Sequence, residues 1–102
     1  MAFIQIIEYQ TSRLEEVEAL GRKFREESAE ATGAAKPLRG TVTADQDRTG
    51  YYLSIVEFES AEAAMEASNR PATQAFFGQL AALMDGPPKF YNLGVVDTWE
   101  MS

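Results

Sequence analysis

A chain of 102 residues, 45% of them apolar and 25% charged, has the size and composition of one globular domain with a single core. Its formal net charge of -7 repels a phosphate backbone, so nucleic acid is not an expected partner. No cysteine and no histidine is present, which removes disulfides, thiolate nucleophiles, Ser-His-acid hydrolysis, histidine-ligated zinc or haem iron, and imidazole proton transfer near neutral pH.

Residues 1–102 read as a single domain. The N-terminal MAFIQIIEYQ has no basic segment ahead of its apolar residues and no small-residue cleavage site, and no apolar run approaches the roughly 20 residues of a membrane span. The expectation is a soluble, cytoplasmic chain with no membrane partner. AFIQIIEY (residues 2–9), rich in isoleucine and aromatics, predicts a first strand. Ser12-Arg13-Leu14-Glu15 has the spacing of a capping box, so a helix is expected to start there. Its apolar face is Leu14, Val17, Leu20, Gly21, Phe24 and Ser28, and Gly33 with Pro37 ends the run. RGTVTAD (39–45) and YYLSIVEF (51–58) both predict extended chain, the first polar and the second apolar. Ser60 caps a helix through Ala61 to Ser68, and Asn69-Arg70-Pro71 interrupts it. Pro71 opens a renewed helix carrying Phe76, Phe77, Leu80, Leu83 and Met84 to the Asp85-Gly86-Pro87-Pro88 stop. FYNLGVVDTW (90–99) is the expected last strand.

Between the second and third strands, Asp45-Gln46-Asp47-Arg48-Thr49-Gly50 has the opening spacing of a calcium-binding loop. The twelfth position of that pattern demands a bidentate acid and holds Val56, and the flanks read as strands, not helices. The stretch is therefore expected to be a hairpin loop with Gly50 at positive φ, and no metal is expected in it.

The order strand, helix, strand, strand, helix, strand is that of an α+β, ferredoxin-like βαββαβ domain with a four-stranded antiparallel sheet. Its first and third strands are central and the other two are edges. Two helices cover one face only. Phe3, Ile7 and Tyr9 alternate with Ile4 and Ile6, and Tyr52, Val56 and Phe58 with Leu53 and Ile55, so both faces carry apolar side chains. At about 25 cal/mol per Å², an uncovered apolar face drives association, and a homodimer is the expected assembly.

These features resemble the dimeric α/β-barrel superfamily, and within it the small single-domain proteins related to antibiotic-biosynthesis monooxygenases. The likeness rests on the element order, the strands AFIQIIEY and YYLSIVEF, the helix break at Asn69-Arg70-Pro71, and the closing GPPKFYNLGVV. It implies sheets pairing into a dimeric barrel and a small apolar or aromatic ligand. The activity it implies is monooxygenation, or else isomerisation, of aromatic or polyketide-like substrates without a cofactor. Haem degradation, another activity of the superfamily, is disfavoured by the missing histidine. The alternative is a ligand-binding or accessory dimer without chemistry.

Arg39, Tyr51, Tyr52, Phe76, Tyr91, Asn92 and Trp99 are the candidate ligand-binding residues; no catalytic residue is assigned. Each has a plainer role: aromatics fill strand ends, Phe76 is helix core, Trp99 packs across a dimer, and Arg39 pairs with a nearby carboxylate. On a regular fourth strand Tyr91, Asp97 and Trp99 share one face and Asn92 the other, so Asn92 and Trp99 line one cavity only if Gly94 forms a bulge. Glu57 and Asp97 are the possible carboxylate bases. A small-molecule site calls for a pocket above about 300 Å³.

Overall fold

The structure, a computed structural model, describes residues 2–29 and 36–101. Among them the order is β1 (Phe3–Gln10), α1 (Leu14–Ala29), β2 (Arg39–Ala44), β3 (Tyr51–Phe58), α2 (Ala61–Ser68), α3 (Pro71–Ala81) and β4 (Lys89–Gly94). The strands form one antiparallel sheet in the order β2-β3-β1-β4, so the two apolar strands are central and the polar second strand is an edge, as the composition requires. This is the ferredoxin-like βαββαβ fold, with its second helical segment divided in two.

The faces follow from register. Ile7 and Tyr9 lie in the buried core with Val17 of α1 and Leu80 of α3, so the odd-numbered residues of β1 face the helices. Their cross-strand partners Tyr52, Ser54, Val56 and Phe58, and Phe90, Asn92 and Gly94, share that side. No described element packs on the opposite side, which presents Ile4, Ile6, Leu53, Ile55, Tyr91 and Leu93.

In α1, the expected apolar positions are the ones withdrawn from solvent. Val17 is buried, Leu14, Leu20, Gly21, Phe24 and Ser28 are half-buried, and the intervening charged residues are exposed. The capping box does not form. The helix begins one residue later, with the Arg13 carbonyl accepting from the amides of Glu16 and Val17, and the Ser12 side chain has no hydrogen bond among the described residues. Thr11 does the work instead: its Oγ1 accepts from the Arg13 amide at 2.9 Å and donates to the Leu83 carbonyl at 2.6 Å, while its own amide donates to the Gly50 carbonyl at 3.1 Å. The helix stop expected at Gly33 lies outside the described residues.

The second helical segment breaks where proline dictates. Ser60 Oγ accepts from the Ala63 amide at 3.1 Å and caps α2. Pro71, lacking an amide hydrogen, sits in the first turn of α3. α3 ends at Ala81, so Leu83 and Met84 pack against the core from the following turn and not from the helix itself.

The DQDRTG stretch is a hairpin loop. Gly50 has φ 87°, and the Asp45 carboxylate accepts from the amides of Asp47 (2.8 Å) and Arg48 (3.2 Å) and from Arg48 Nε (2.7 Å). These bonds, the guanidinium first, hold the Asp45 carboxyl below its usual range.

The last strand is shorter than expected. The Val95 amide still donates to the Ala2 carbonyl at 3.0 Å, but β1 starts at Phe3 and gives the chain no further ladder to follow. Residues 96–101 therefore run on without a strand partner, with Val96 94%, Trp99 75% and Met101 86% exposed.

Candidate functional site

Burial along β1 shows where the helix layer closes and where it does not. From Ile7 onward the strand alternates as a covered strand should: Ile7 and Tyr9 are buried and Glu8 between them is not. From Phe3 to Ile6 there is no such alternation: Phe3 and Gln5 on the helix side are half-buried, as are Ile4 and Ile6 on the uncovered side. On β3 only Phe58 is buried; Tyr52, Ser54 and Val56 stay half-buried beneath the helices. The side-chain sizes give a reason. Gly40 lies opposite Val56, Ser54 opposite Ile7, and Gly94 opposite Phe3, and a Cβ added at Gly94 would meet nothing within 4 Å. The middle of the helix side is thus a solvent-open trough, with Gln5, Ser54 and Val56 half-buried and Asn92 exposed along it and Ile7 and Phe90 at its packed end.

Aromatic rings and amides furnish this trough. Phe90 is 47% exposed and meets Phe77 of α3 edge-on at 6.0 Å. Gln5 Nε2 donates to Asn92 Oδ1 at 3.2 Å across the β1–β4 ladder. Tyr9 and Tyr52 sit at the packed end with ring centroids 5.8 Å apart. Burial, with the charge of Glu18 and the Tyr52 ring adding to it, pushes the Tyr9 hydroxyl above its usual pKa, so it is a proton donor over the ordinary pH range.

The structure divides the candidate residues into groups and does not assemble them into one cavity. Tyr52 and Asn92 are on the helix side of the sheet. Phe76 stacks on Phe24 of α1, centroids 4.2 Å apart and planes 8° apart, and so holds helix to helix. Arg39, Tyr51 and Tyr91 are on the uncovered face. Arg39 approaches Glu57 at 3.6 Å, Tyr51 lies under the Arg48 guanidinium at 4.3 Å, and Tyr91 lies under Lys89 at 5.1 Å. Trp99 and Asp97 are in the segment beyond β4, so no bulge at Gly94 brings Trp99 beside Asn92. Neither candidate base reaches the trough, since Glu57 points to the uncovered face. Gln5 escaped the sequence reading because a lone glutamine in a strand carries no motif. Its signal was positional: a polar residue in phase with Phe3, Ile7 and Tyr9.

Two open depressions lie outside the trough. One, of about 180 Å³, is at the sheet end between Glu8, Gln10, Tyr51 and the Gly86-Pro87 turn. The other, of about 160 Å³, lies between Leu20 and Phe24 of α1 and Ala72 and Ala75 of α3. Both fall short of the about 300 Å³ that a small-molecule pocket needs.

No protein-family model matches the sequence, and neither does any curated protein. Solved structures do. SnoaB from Streptomyces nogalater, a cofactor-independent oxygenase, superposes with a TM-score of 0.76 at 16% identity over 95% of each chain. A Caulobacter crescentus protein provisionally named an antibiotic biosynthesis monooxygenase gives 0.76 at 16% identity over 94% of this chain and 91% of its own. A conserved protein from Methanosarcina mazei gives 0.75 at 13% identity over 91% of each. The chain has the ferredoxin-like α+β fold of the antibiotic biosynthesis monooxygenase-like proteins.

Proposed function

We propose that the chain binds a planar aromatic, polyketide-like molecule in the helix-side trough and oxygenates it with dioxygen, without a cofactor. The observation that carries this reading is the exposed Gln5–Asn92 amide pair on the helix side of the sheet, near Val56 and Phe90. An aromatic slab fits apolar walls, and amides orient it through its oxygens. The fold likeness to SnoaB, described as a cofactor-independent oxygenase, supports the choice of chemistry.

The step balances as a methylene plus dioxygen giving a ketone plus water. It starts by loss of a proton from the activated methylene, and the protein's part is to hold the ring and orient its oxygens. Tyr9 is sealed in the core beyond Ile7 and takes no part in the step. The proton then passes to solvent, and the rate rises with pH as the bound substrate ionises. Anthrone under air, followed by anthraquinone absorbance, tests the reading. A rate above buffer, lowered about tenfold or more in Asn92→Ala, supports it.

One observation favours the second reading, a binder without chemistry: the sheet residues lining the trough include no carboxylate. Binding of the ring system with no rate above buffer would select that reading; no binding would end both.

The untouched face suggests the assembly. Ile4, Ile6, Leu53, Ile55 and Leu93 make a continuous apolar surface that no described element covers. We propose that a second copy covers it as a homodimer, with Val96, Trp99 and Met101 joining the contact. Sedimentation at micromolar concentration should give the mass of two chains, and Ile55→Asp should halve it. A monomeric wild type would end this proposal without touching the trough, which is on the other side of the sheet.

A further inference from the structure

The sheet ends in two edges, and only one of them is guarded. β4 carries Lys89 and follows Pro87-Pro88, residues that discourage a further strand. β2, RGTVTA, has no proline and no lysine, keeps an unbroken register with β3 over its whole length, and is hydrogen-bonded on that side alone. On the helix side it presents Gly40 and Val42; Val42 is 48% exposed, and Leu38, just ahead of the strand, is 63% exposed. The same chain has a segment without a neighbour. Residues 96–101, VDTWEM, leave β4 with Val96, Trp99 and Met101 in solvent. Within one chain the two are badly placed to pair, because β2 and β4 are opposite edges. Crossing the three strand spacings between them, about 14 Å, would use about four residues of the tail before its first ladder bond.

We propose that the tail adds instead to the β2 edge of a second copy, as an antiparallel fifth strand with Trp99 opposite the partner's Gly40. The inference rests on the homodimer proposed above and adds where the tail goes. When the uncovered faces of two copies pack with their strands crossing near 90°, one of the two possible crossings brings the Gly94 end of β4 beside the partner's β2, which runs across it. The tail then turns the corner from one sheet into the other, as strands do in orthogonal packings. Parity selects the register. With Trp99 laid over the partner's Gly40, an aromatic ring covers a strand glycine, Met101 meets the partner's Leu38, Thr98 meets the partner's Thr41, and Glu100 meets the partner's Arg39. A slip of one residue would set Trp99 against the partner's Arg39 or the partner's Thr41, and Glu100 against the partner's Leu38 or the partner's Gly40. Because Gly40 is paired with Val56, the indole stands at the β2 side of the partner's trough, and each copy supplies a wall of the other's site.

Trp99 is the sole tryptophan of the chain, so its fluorescence emission reports where the tail lies. At micromolar concentration the wild type should sediment as two chains and show the blue-shifted emission of a covered indole. Val42→Asp, at a side chain already exposed in the single chain, sets like charges opposite Asp97 of the incoming tail and should move the emission to that of an indole in water. Refolding this variant together with an excess of Trp99→Phe, which has no tryptophan but an intact β2, should bring the blue emission back, because the tail then finds its seat on the other chain. No recovery in the mixture overturns the inference, and so does a Val42→Asp variant that emits like the wild type. A wild-type dimer with the emission of an indole in water overturns it while sparing the homodimer. A monomeric wild type ends both.

Discussion

The two halves of β1 on its helix side are built from the same strand and end differently. Ile7 and Tyr9 are sealed by Val17 and Leu80, with Leu20, Phe76, Phe77, Leu83 and Met84 packed round them. Phe3 and Gln5 a few residues earlier are only half-buried, as are Ile4 and Ile6 on the face that no described element covers. The difference teaches that along the helix side of β1 the burial is complete only from Ile7 onward. The core there holds the sealed packing of β1, and at Gln5 and its exposed neighbour Asn92 little packing is lost by substitution.

If that division holds, Ile7→Ala should be the most damaging substitution, costing about 2–5 kcal/mol in denaturant unfolding, since it cuts a cavity beside Val17 and Leu80 in the sealed part of β1. A loss below about 1 kcal/mol would show the two halves to be alike. Thr11→Val should follow at about 1–3 kcal/mol. It keeps the shape but leaves the Leu83 carbonyl and the Arg13 amide without their partner at a residue only 3% exposed. Thr11→Ser should recover most of the loss.

The packed half should also show itself at alkaline pH. Burial raises the folded pKa of Tyr9 above the about 10 of an unfolded tyrosine, so its contribution is complete below pH 10 and is lost as pH rises through the folded value. Thermal unfolding followed from pH 8 to 11 should fall more steeply for the wild type than for Tyr9→Phe. Equal slopes would mean that the ring is not sealed. Smallest of all should be Asn92→Leu, within about 0.5 kcal/mol of the wild type. A stability change of several times that would make the amide pair a structural tie and move it into the packed half.

Much of the fold was legible because it depends on period and punctuation. Alternation in AFIQII and YYLSIV, the three- and four-residue steps from Leu14 to Ser28, the Ser60 cap and the Pro71 restart each fix a local conformation, and each formed where the residues indicated. The misses share a cause. Ser12 fits a capping box, but Thr11 has a buried tertiary acceptor in Leu83 that a local pattern does not contain. DTW looks like strand by composition, yet a strand needs a neighbour, and β1 had already run out. The site was less legible still. Parity along a strand correctly separated Tyr91 from Asn92, but Gln5 became a candidate only once register set it opposite Asn92, 87 positions away in the chain.

Thr11 joins places far apart in sequence: the entry to α1, the turn that follows α3 and the tip of the β2–β3 hairpin, all through one side chain and its amide. Its amide proton should therefore exchange with solvent deuterium only when the hairpin tip lifts, and removing the hydroxyl alone should quicken that exchange as well as fray the helix start. One isotope-exchange rate, at one residue, then counts how often three separate chain reversals let go together.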